Sequence, residues 1–208
     1  MKYDGIIFDL DGTLWNSTPE IYKSWCETIS KHSNLNIPSF EQLMAVMGLS
    51  DIELMQTLFP QLTDDEALEL FNECSIHENE YLENHAATDY EGIYEVLETL
   101  SSKHKLSIVS NCGKGYIEAY MKSMKTGKFI TDFECFGNTR QPKFENIKSV
   151  IKRNNFKNAV YIGDTVWDMQ SAISANIDFV HAAYGFGDFE CKFPKILKPI
   201  ELLNIIGE

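Results

Sequence analysis

The sequence lacks paired cysteines. Its five, Cys26, Cys74, Cys112, Cys135 and Cys191, are odd in number and scattered, with no C-x-x-C pair. That argues against a disulfide framework or a cysteine zinc site, and for reduced, packed thiols in a protein expected in the cytoplasm. Positive charge is scarce as well: 18 Lys and Arg face 31 Asp and Glu, for a net charge of −13 and a pI near 4.8. A polyanionic partner such as nucleic acid is thereby disfavoured. No stretch approaches the ~18 apolar residues of a membrane span. Asp4 and Asp9 interrupt what would be the apolar part of a signal peptide, so no membrane or secretory route is expected. Internal repeats and low-complexity tracts are also missing.

What is present suits a soluble globular chain. The 208 residues are 44% apolar and 24% charged, enough for one compact domain or one domain carrying a small insert. The organising stretch is Ile6-Ile7-Phe8-Asp9-Leu10-Asp11-Gly12-Thr13-Leu14. Its bulky apolar start reads as a buried strand, which ends in two carboxylates one residue apart. Gly12 frees the backbone to turn sharply out of the sheet. In an open parallel sheet, ligands bind beyond the carboxyl ends of the strands. Two like charges there, about 4 Å apart at an effective dielectric near 20, repel by roughly 4 kcal/mol. Such a pair needs a cation, or one member must hold its proton. The first solution gives a metal-bound nucleophile and the second a general acid.

After Leu14 the texture changes. Four helix starts follow, each a Ser or Thr with Glu or Gln three residues on: Ser17 with Glu20, Ser39 with Gln42, Ser50 with Glu53, and Thr63 with Glu66. Apolar residues recur at helical spacing behind them, as Ile21, Trp25 and Ile29, then Leu43, Val46 and Met47, then Ala67, Leu70, Phe71 and Cys74. No convincing strand falls between Trp15 and Thr88. The expected organisation is therefore a core of residues 1–14 and 89–208 with a helical cap over 15–88, hinged near 12–16 and 85–89. Helices packing directly on the sheet are the alternative. Caps of this kind exclude water and recognise the leaving group. The insert holds thirteen acids against two lysines and no arginine, which tilts against a leaving group carrying a second strong negative charge.

The core resumes at Asp89. Ile93, Val96, Leu97 and Leu100 mark a helix, and Leu106 to Val109 a strand ending in Ser110-Asn111. Cys112-Gly113-Lys114-Gly115 then opens another helix. A hydroxyl and backbone N–H groups at a strand-to-helix junction form an anion site, although an ordinary N-cap serine reads the same way. Phe133 to Phe136 is a short candidate strand before Gln141-Pro142-Lys143. Lys143 begins a helix carrying Ile147, Val150 and Ile151. A lysine in a first helical turn opposes the dipole, which disfavours a purely structural explanation. Next, Ala159 to Gly163 is a buried strand ending at Asp164, placed to complete an all-oxygen site suited to Mg²⁺. Asp168 falls in the first turn of the helix begun at Thr165, where an acid has a structural use. Ile177 to Val180 is a further strand. Tyr184-Gly185-Phe186-Gly187 either borders the site or is a plain turn. His181 reads as structural, and Ile200, Leu203 and Ile206 as a closing helix.

Four strings, in order, resemble the motifs of the haloacid dehalogenase superfamily: Asp9-Leu10-Asp11-Gly12-Thr13-Leu14, Ser110-Asn111, Lys143, and Gly163-Asp164 with Asp168. The third match is loose, because Pro142 precedes the lysine where many relatives place it after. The layout is most similar to the phosphoglycolate phosphatase-like and β-phosphoglucomutase-like branch. The resemblance implies an α/β fold, a doubly wound, mostly parallel sheet, and a Mg²⁺-dependent phosphatase acting on a small phosphorylated metabolite. It implies that Asp9 is the nucleophile and that Asp11 is the acid and then the base. Ser110, Asn111 and Lys143 hold the phosphoryl group, with Thr13 counted among its surroundings as a support for Asp9. Asp9, Asp164 and the backbone carbonyl of Asp11 hold the metal, and Asp168 orients Lys143 or a metal-bound water. Dehalogenases lack the second acid, and hexose phosphomutases carry a His early in the first cap helix where Pro19 to Tyr22 has none. A mutase is the runner-up, and a catalytically idle binding relative a third reading. Oligomeric state is not addressed by the sequence.

Overall fold

A computed structural model of the chain describes residues 2–46, 51–85 and 87–206. Met47 and Ser50, and with Ser50 its pairing to Glu53, lie outside the described residues.

Backbone contacts divide the chain into two units, Met1–Asn16 with Thr88–Glu208, and Ser17–Ala87. The first is built on a sheet. Ile6, Ile7 and Phe8 are buried on both faces, as an interior strand of a parallel sheet requires, and they form β1 (Gly5–Phe8). The other strands are β2 (Trp15–Asn16), β3 (Thr88–Asp89), β4 (Lys105–Ser110), β5 (Ile130–Cys135), β6 (Ala159–Gly163), β7 (Asp178–Ala182) and β8 (Lys195–Ile196). Six strands order as β5-β4-β1-β6-β7-β8, and every pairing among them is parallel. The chain builds outward from β1 to β5, then crosses to β6 on the other side. The carboxyl ends of β1, β4 and β6 thus meet at the switch in winding direction, where open α/β sheets bind ligands. β2 and β3 form a separate antiparallel pair, Trp15 opposite Asp89 and Asn16 opposite Thr88. The expectation of no strand between these two points therefore ends at two-residue strands on its borders.

Among the described residues this unit carries the helices α5 (Ile93–Ser101), α6 (Tyr116–Ser123), α8 (Lys143–Asn154), α9 (Val166–Ser174) and α10 (Leu202–Ile206), with the short α7 (Phe136–Thr139) between. Ile7, Val109, Tyr161 and Phe179 line one face of the sheet with Ile147 and Val150 of α8 and Ala172 of α9. In α10 the buried residues are Leu202 and Ile206. Ile200 lies in the preceding turn and is exposed, and Leu203 is half-buried.

β5 starts three residues before the apolar cue at Phe133, and Phe136 already belongs to α7. Asp132 and Glu134 disguised the strand, since acids are poor strand formers. Arg153 of α8 pairs with both, at 3.0 Å and 2.6 Å, which makes them tolerable on an edge strand.

The second unit is helical: α1 (Thr18–Ile29), α2 (Phe40–Val46), α3 (Asp51–Leu58) and α4 (Asp64–Asn84). Thr63 and Glu66 form a reciprocal capping box at α4. Ser39 and Gln42 exchange the same two bonds before α2, at 2.8 and 3.2 Å. Ser17 precedes α1 without a side-chain cap to that helix, where proline in the first turn already removes one orphan donor. Trp25 of α1 stacks edge-on with Phe71 of α4 at 6.0 Å, and Ser24 bonds His77 at 2.9 Å. No helix of the described residues is long and apolar enough to cross a membrane.

Ile7 is fully buried in the central strand. Ile7→Ala should lower the unfolding free energy by about 2–5 kcal/mol, read from denaturant titration with an unchanged m-value.

Candidate active site

The site grows from the tips of three strands. Past Phe8 the ladder runs one step further, because the Asp9 N–H donates to the Ile162 carbonyl at 2.8 Å. Asp9 is therefore held at the sheet's edge while only 5% exposed. The next residues wrap a turn in which Leu14 N–H donates to the Leu10 carbonyl at 2.8 Å and Gly12 N–H to the Trp15 carbonyl at 2.9 Å. Gly12 has φ +83°, and a Cβ there would lie 2.2 Å from an Asp164 carboxylate oxygen. The glycine thus serves twice, for the left-handed turn and for the close approach of a second acid.

Asp164 follows β6 and is fully buried. Its Oδ1 accepts the Thr13 hydroxyl at 3.0 Å, and its Oδ2 the Phe186 N–H at 2.8 Å. Thr13 thus supports Asp164; the expected support of Asp9 is not what the geometry gives, because the turn aims the hydroxyl at the neighbouring strand tip. With its hydroxyl so engaged, Thr13 acts on the site through Asp164. The Tyr184-Gly185-Phe186-Gly187 loop closes on the same acid. A Cβ on Gly185 would fall 2.5 Å from the Asp164 Cβ, and one on Gly187 would fall 2.1 Å from its carbonyl oxygen. The loop is thus part of the site.

Lys143, the first residue of α8, is 8% exposed and lies between two acids. Its Nζ donates to Asp9 Oδ1 at 2.8 Å and to Asp168 Oδ1 at 2.6 Å. Asp168 keeps its structural use as well, since its Oδ2 accepts from the Thr165 N–H at 2.9 Å and hydroxyl at 2.6 Å. One oxygen of Asp168 thus faces Lys143 and the other serves the helix cap. Tyr161, taken from the sequence only as an apolar strand residue, donates its hydroxyl to the Val109 carbonyl at 2.7 Å and lies 3.4 Å from Asp9 Oδ1. A phenol inside a fully buried strand had to find a partner, and that was the signal available.

Asp11 turns elsewhere. Its Oδ1 accepts the Trp15 indole N–H at 2.9 Å and the Tyr116 hydroxyl at 2.8 Å. Neither partner was picked out from the sequence. Ser110 ends β4 beside β1, 5% exposed, with its Oγ accepting the Cys112 N–H at 3.3 Å. Asn111 stands exposed just beyond it. Helix α6 starts only at Tyr116 behind Gly115, so a five-residue loop, and not the helix end itself, follows the serine.

One ligand oxygen from each of Asp9, Asp164 and Asp168 lies within 4.8 Å of the others. Like charges at that spacing repel by roughly 3–4 kcal/mol per pair at a dielectric near 20. Burial, then the Asp168 charge, pushes the Asp9 carboxyl well above its usual range, although Lys143 opposes this. Burial chiefly pushes Asp164 up to about 6. For Lys143, burial works against the charge, but Asp168 and Asp9 outweigh it and hold the ammonium protonated. Three buried acids with one buried lysine leave excess negative charge among oxygen donors, which fits a small, hard divalent cation.

The family model described as haloacid dehalogenase-like hydrolase matches residues 6–182. A pyrophosphatase PpaX of Listeria welshimeri is 25% identical over 180 residues, spanning 84% of this chain and 80% of that protein. A phosphoglycolate phosphatase of Pseudomonas savastanoi is 26% identical over 196 residues, spanning 87% and 70%. Among solved structures, a haloacid dehalogenase-like family hydrolase from Streptococcus pneumoniae superposes with a TM-score of 0.79 at 22% identity, over 98% of each chain.

Two measurements test the electrostatics. Gly12→Ala should cost about 1–3 kcal/mol of stability, since it combines a left-handed φ with a collision against Asp164. Mg²⁺ at one hundred times its Kd should stabilise the protein by about 2.7 kcal/mol at pH 7.5. The gain should shrink as pH falls through about 6, where Asp164 takes up a proton. The sign follows from a folded pKa above the unfolded one: without metal, this group's contribution to stability is complete below about pH 4 and is lost as pH rises through 6. An equal Mg²⁺ effect at pH 5 and 7.5 would place the cation elsewhere.

Proposed function

The chain belongs to the haloacid dehalogenase-like hydrolases, and from that premise we propose that it is a Mg²⁺-dependent phosphatase. In this reading it hydrolyses a small phosphomonoester through a phosphorylated Asp9. The observation that carries it is the buried triad in which Lys143 bridges Asp9 and Asp168 beside Asp164.

Phosphate monoesters are among the slowest hydrolyses known, requiring accelerations up to ~10²¹-fold. Dividing the reaction through a covalent intermediate lowers that barrier in two smaller steps. An Asp9 carboxylate oxygen attacks phosphorus while the bond to the leaving oxygen breaks, and Asp11 delivers a proton to that oxygen. In the second step a water attacks the phosphorus carried by Asp9 and gives its proton to Asp11. The bond to Asp9 then breaks and inorganic phosphate leaves. Lys143, Ser110 and Asn111 hold the phosphoryl oxygens, and the lysine offsets their charge in both transition states. Asp168 fixes the lysine from behind, and Thr13 with the Phe186 N–H fixes Asp164. Asp9, Asp164 and the Asp11 carbonyl would hold Mg²⁺, which when bound neutralises the acids and the transferred group. Among substrates, pyrophosphate and phosphoglycolate are those the relatives' names supply. The acidic stretch of residues 15–88 favours a substrate with an uncharged leaving group over either.

Asp9→Asn should remain folded yet release no phosphate from p-nitrophenyl phosphate in Mg²⁺, a loss of at least about 10³-fold in kcat. Turnover within tenfold of wild type would mean another nucleophile. A Mg²⁺-supplemented panel of pyrophosphate, phosphoglycolate, nucleoside monophosphates and sugar phosphates identifies the substrate.

A further inference from the structure

Asp11 is anchored by two aromatic side chains from separate parts of the sequence. Tyr116 Oη donates to its Oδ1 at 2.8 Å and Trp15 Nε1 to the same oxygen at 2.9 Å. Both donors are themselves fixed. Trp15 is fully buried and Tyr116 is 3% exposed. Their rings meet edge-on at 5.6 Å, and Trp15 meets Tyr120 edge-on at 4.9 Å. The Trp15 backbone is tied in turn, accepting from Gly12 N–H at 2.9 Å and pairing with Asp89. Tyr116 opens α6 immediately behind Gly115, whose φ of +90° sets the helix entry.

A carboxyl oxygen has two acceptor sites, and two donors on Oδ1 occupy both. We propose that Tyr116 and Trp15 are positioning residues for the acid–base step: by both donating to Oδ1 they fix the orientation of the Asp11 carboxyl that hands over the proton. The inference rests on the reading of Asp11 as general acid. Neither aromatic residue touches the phosphoryl group in this scheme; each acts through the orientation of Asp11. A carboxyl that could rotate would present its proton to the leaving oxygen only part of the time, and general acid catalysis depends on that alignment.

The test uses the leaving group. An alkoxide must be protonated as it departs, whereas p-nitrophenolate departs with little help. The quantity to compare is kcat/KM, which ends with formation of the phosphorylated Asp9 and so excludes Asp11's later role as base. In Mg²⁺, Tyr116→Phe keeps the ring and removes the hydroxyl. Its kcat/KM for an alkyl phosphomonoester should fall by about 10-fold or more, and for p-nitrophenyl phosphate by less than about threefold. Asp11→Asn, measured alongside, should show the same asymmetry on a larger scale. Equal losses on both substrates in Tyr116→Phe, or no loss on either, would overturn the positioning role while Asp11→Asn still shows the asymmetry. If Asp11→Asn itself shows none, or the wild-type protein releases phosphate from neither substrate, the acid assignment fails first and takes this inference with it. Should Tyr116→Phe not fold by circular dichroism, Trp15→Phe removes the other donor and is judged by the same ratio.

Discussion

The bridge from Lys143 to Asp9 and Asp168 is the interaction on which the site depends. Three charges are taken out of water within one small volume, and each alone would cost several kcal/mol in such a place. The ammonium supplies what makes this tolerable, with bonds of 2.8 and 2.6 Å to two carboxylates. Its position is set by packing, not by the acids. Lys143 is the first residue of α8, a helix whose Ile147 and Val150 are seated in the core beneath the sheet. The hydrophobic face of a helix thus delivers a charge to a strand tip, at the helix end where its dipole is least hospitable to a cation. The unfavourable placement is offset by the acids it meets, a local conflict of the kind that marks functional sites.

Close approach of backbone is the second constraint. Gly12, Gly163, Gly185 and Gly187 each come so near Asp164 or Asp168 that a Cβ would lie 2.1 to 2.5 Å from one of their atoms. Three segments, the turn after β1, the end of β6 and the loop after β7, are therefore pressed against two acids. The result leaves little room for water behind Asp164, in keeping with burial as the leading cause of its raised pKa. Placement of the acids and control of their protonation come from the same packing.

Much of this was legible in the sequence because the chemistry sits at strand tips, and buried parallel strands announce themselves as short apolar runs. Ile6 to Phe8 and Val160 to Ile162 are such runs, the first followed directly by Asp9 and the second, one glycine later, by Asp164, two acids of the buried cluster. Lys143 was legible through its misfit with the helix dipole. The partners were less so. Tyr116 and Asp11 are 105 positions apart, and nothing local marks a tyrosine at a helix start as the ligand of a carboxylate. Thr13 was assigned to the wrong acid because the choice between Asp9 and Asp164 depends on turn geometry at Gly12 and on strand order, neither of which is written in residue type. The glycine loop at 184–187 was left open for the same reason. A glycine required by a turn and a glycine required by a neighbour's carboxylate look identical until the neighbour is in place.

Four aspartates of one chemical kind are differentiated by their partners alone. Asp9 faces an ammonium, Asp168 divides its oxygens between that ammonium and a helix cap, Asp164 takes a hydroxyl and a backbone N–H, and Asp11 takes a phenol and an indole. Lys143 works against the burial and the Asp168 charge that push the Asp9 carboxyl up, and so favours the ionised form that attacks in the proposed reaction. A carboxylate held by neutral donors keeps charge to offer a metal, and one that takes a phenol and an indole on the same oxygen has its carboxyl oriented for proton transfer. The division of labour in the proposed reaction is therefore a division of second partners. It follows that substitutions at Thr13, Tyr116 or Trp15 alter the chemistry of an acid without changing the acid itself, and that a chain retaining all four aspartates but not these neighbours would keep the motif and lose the distinction between its parts.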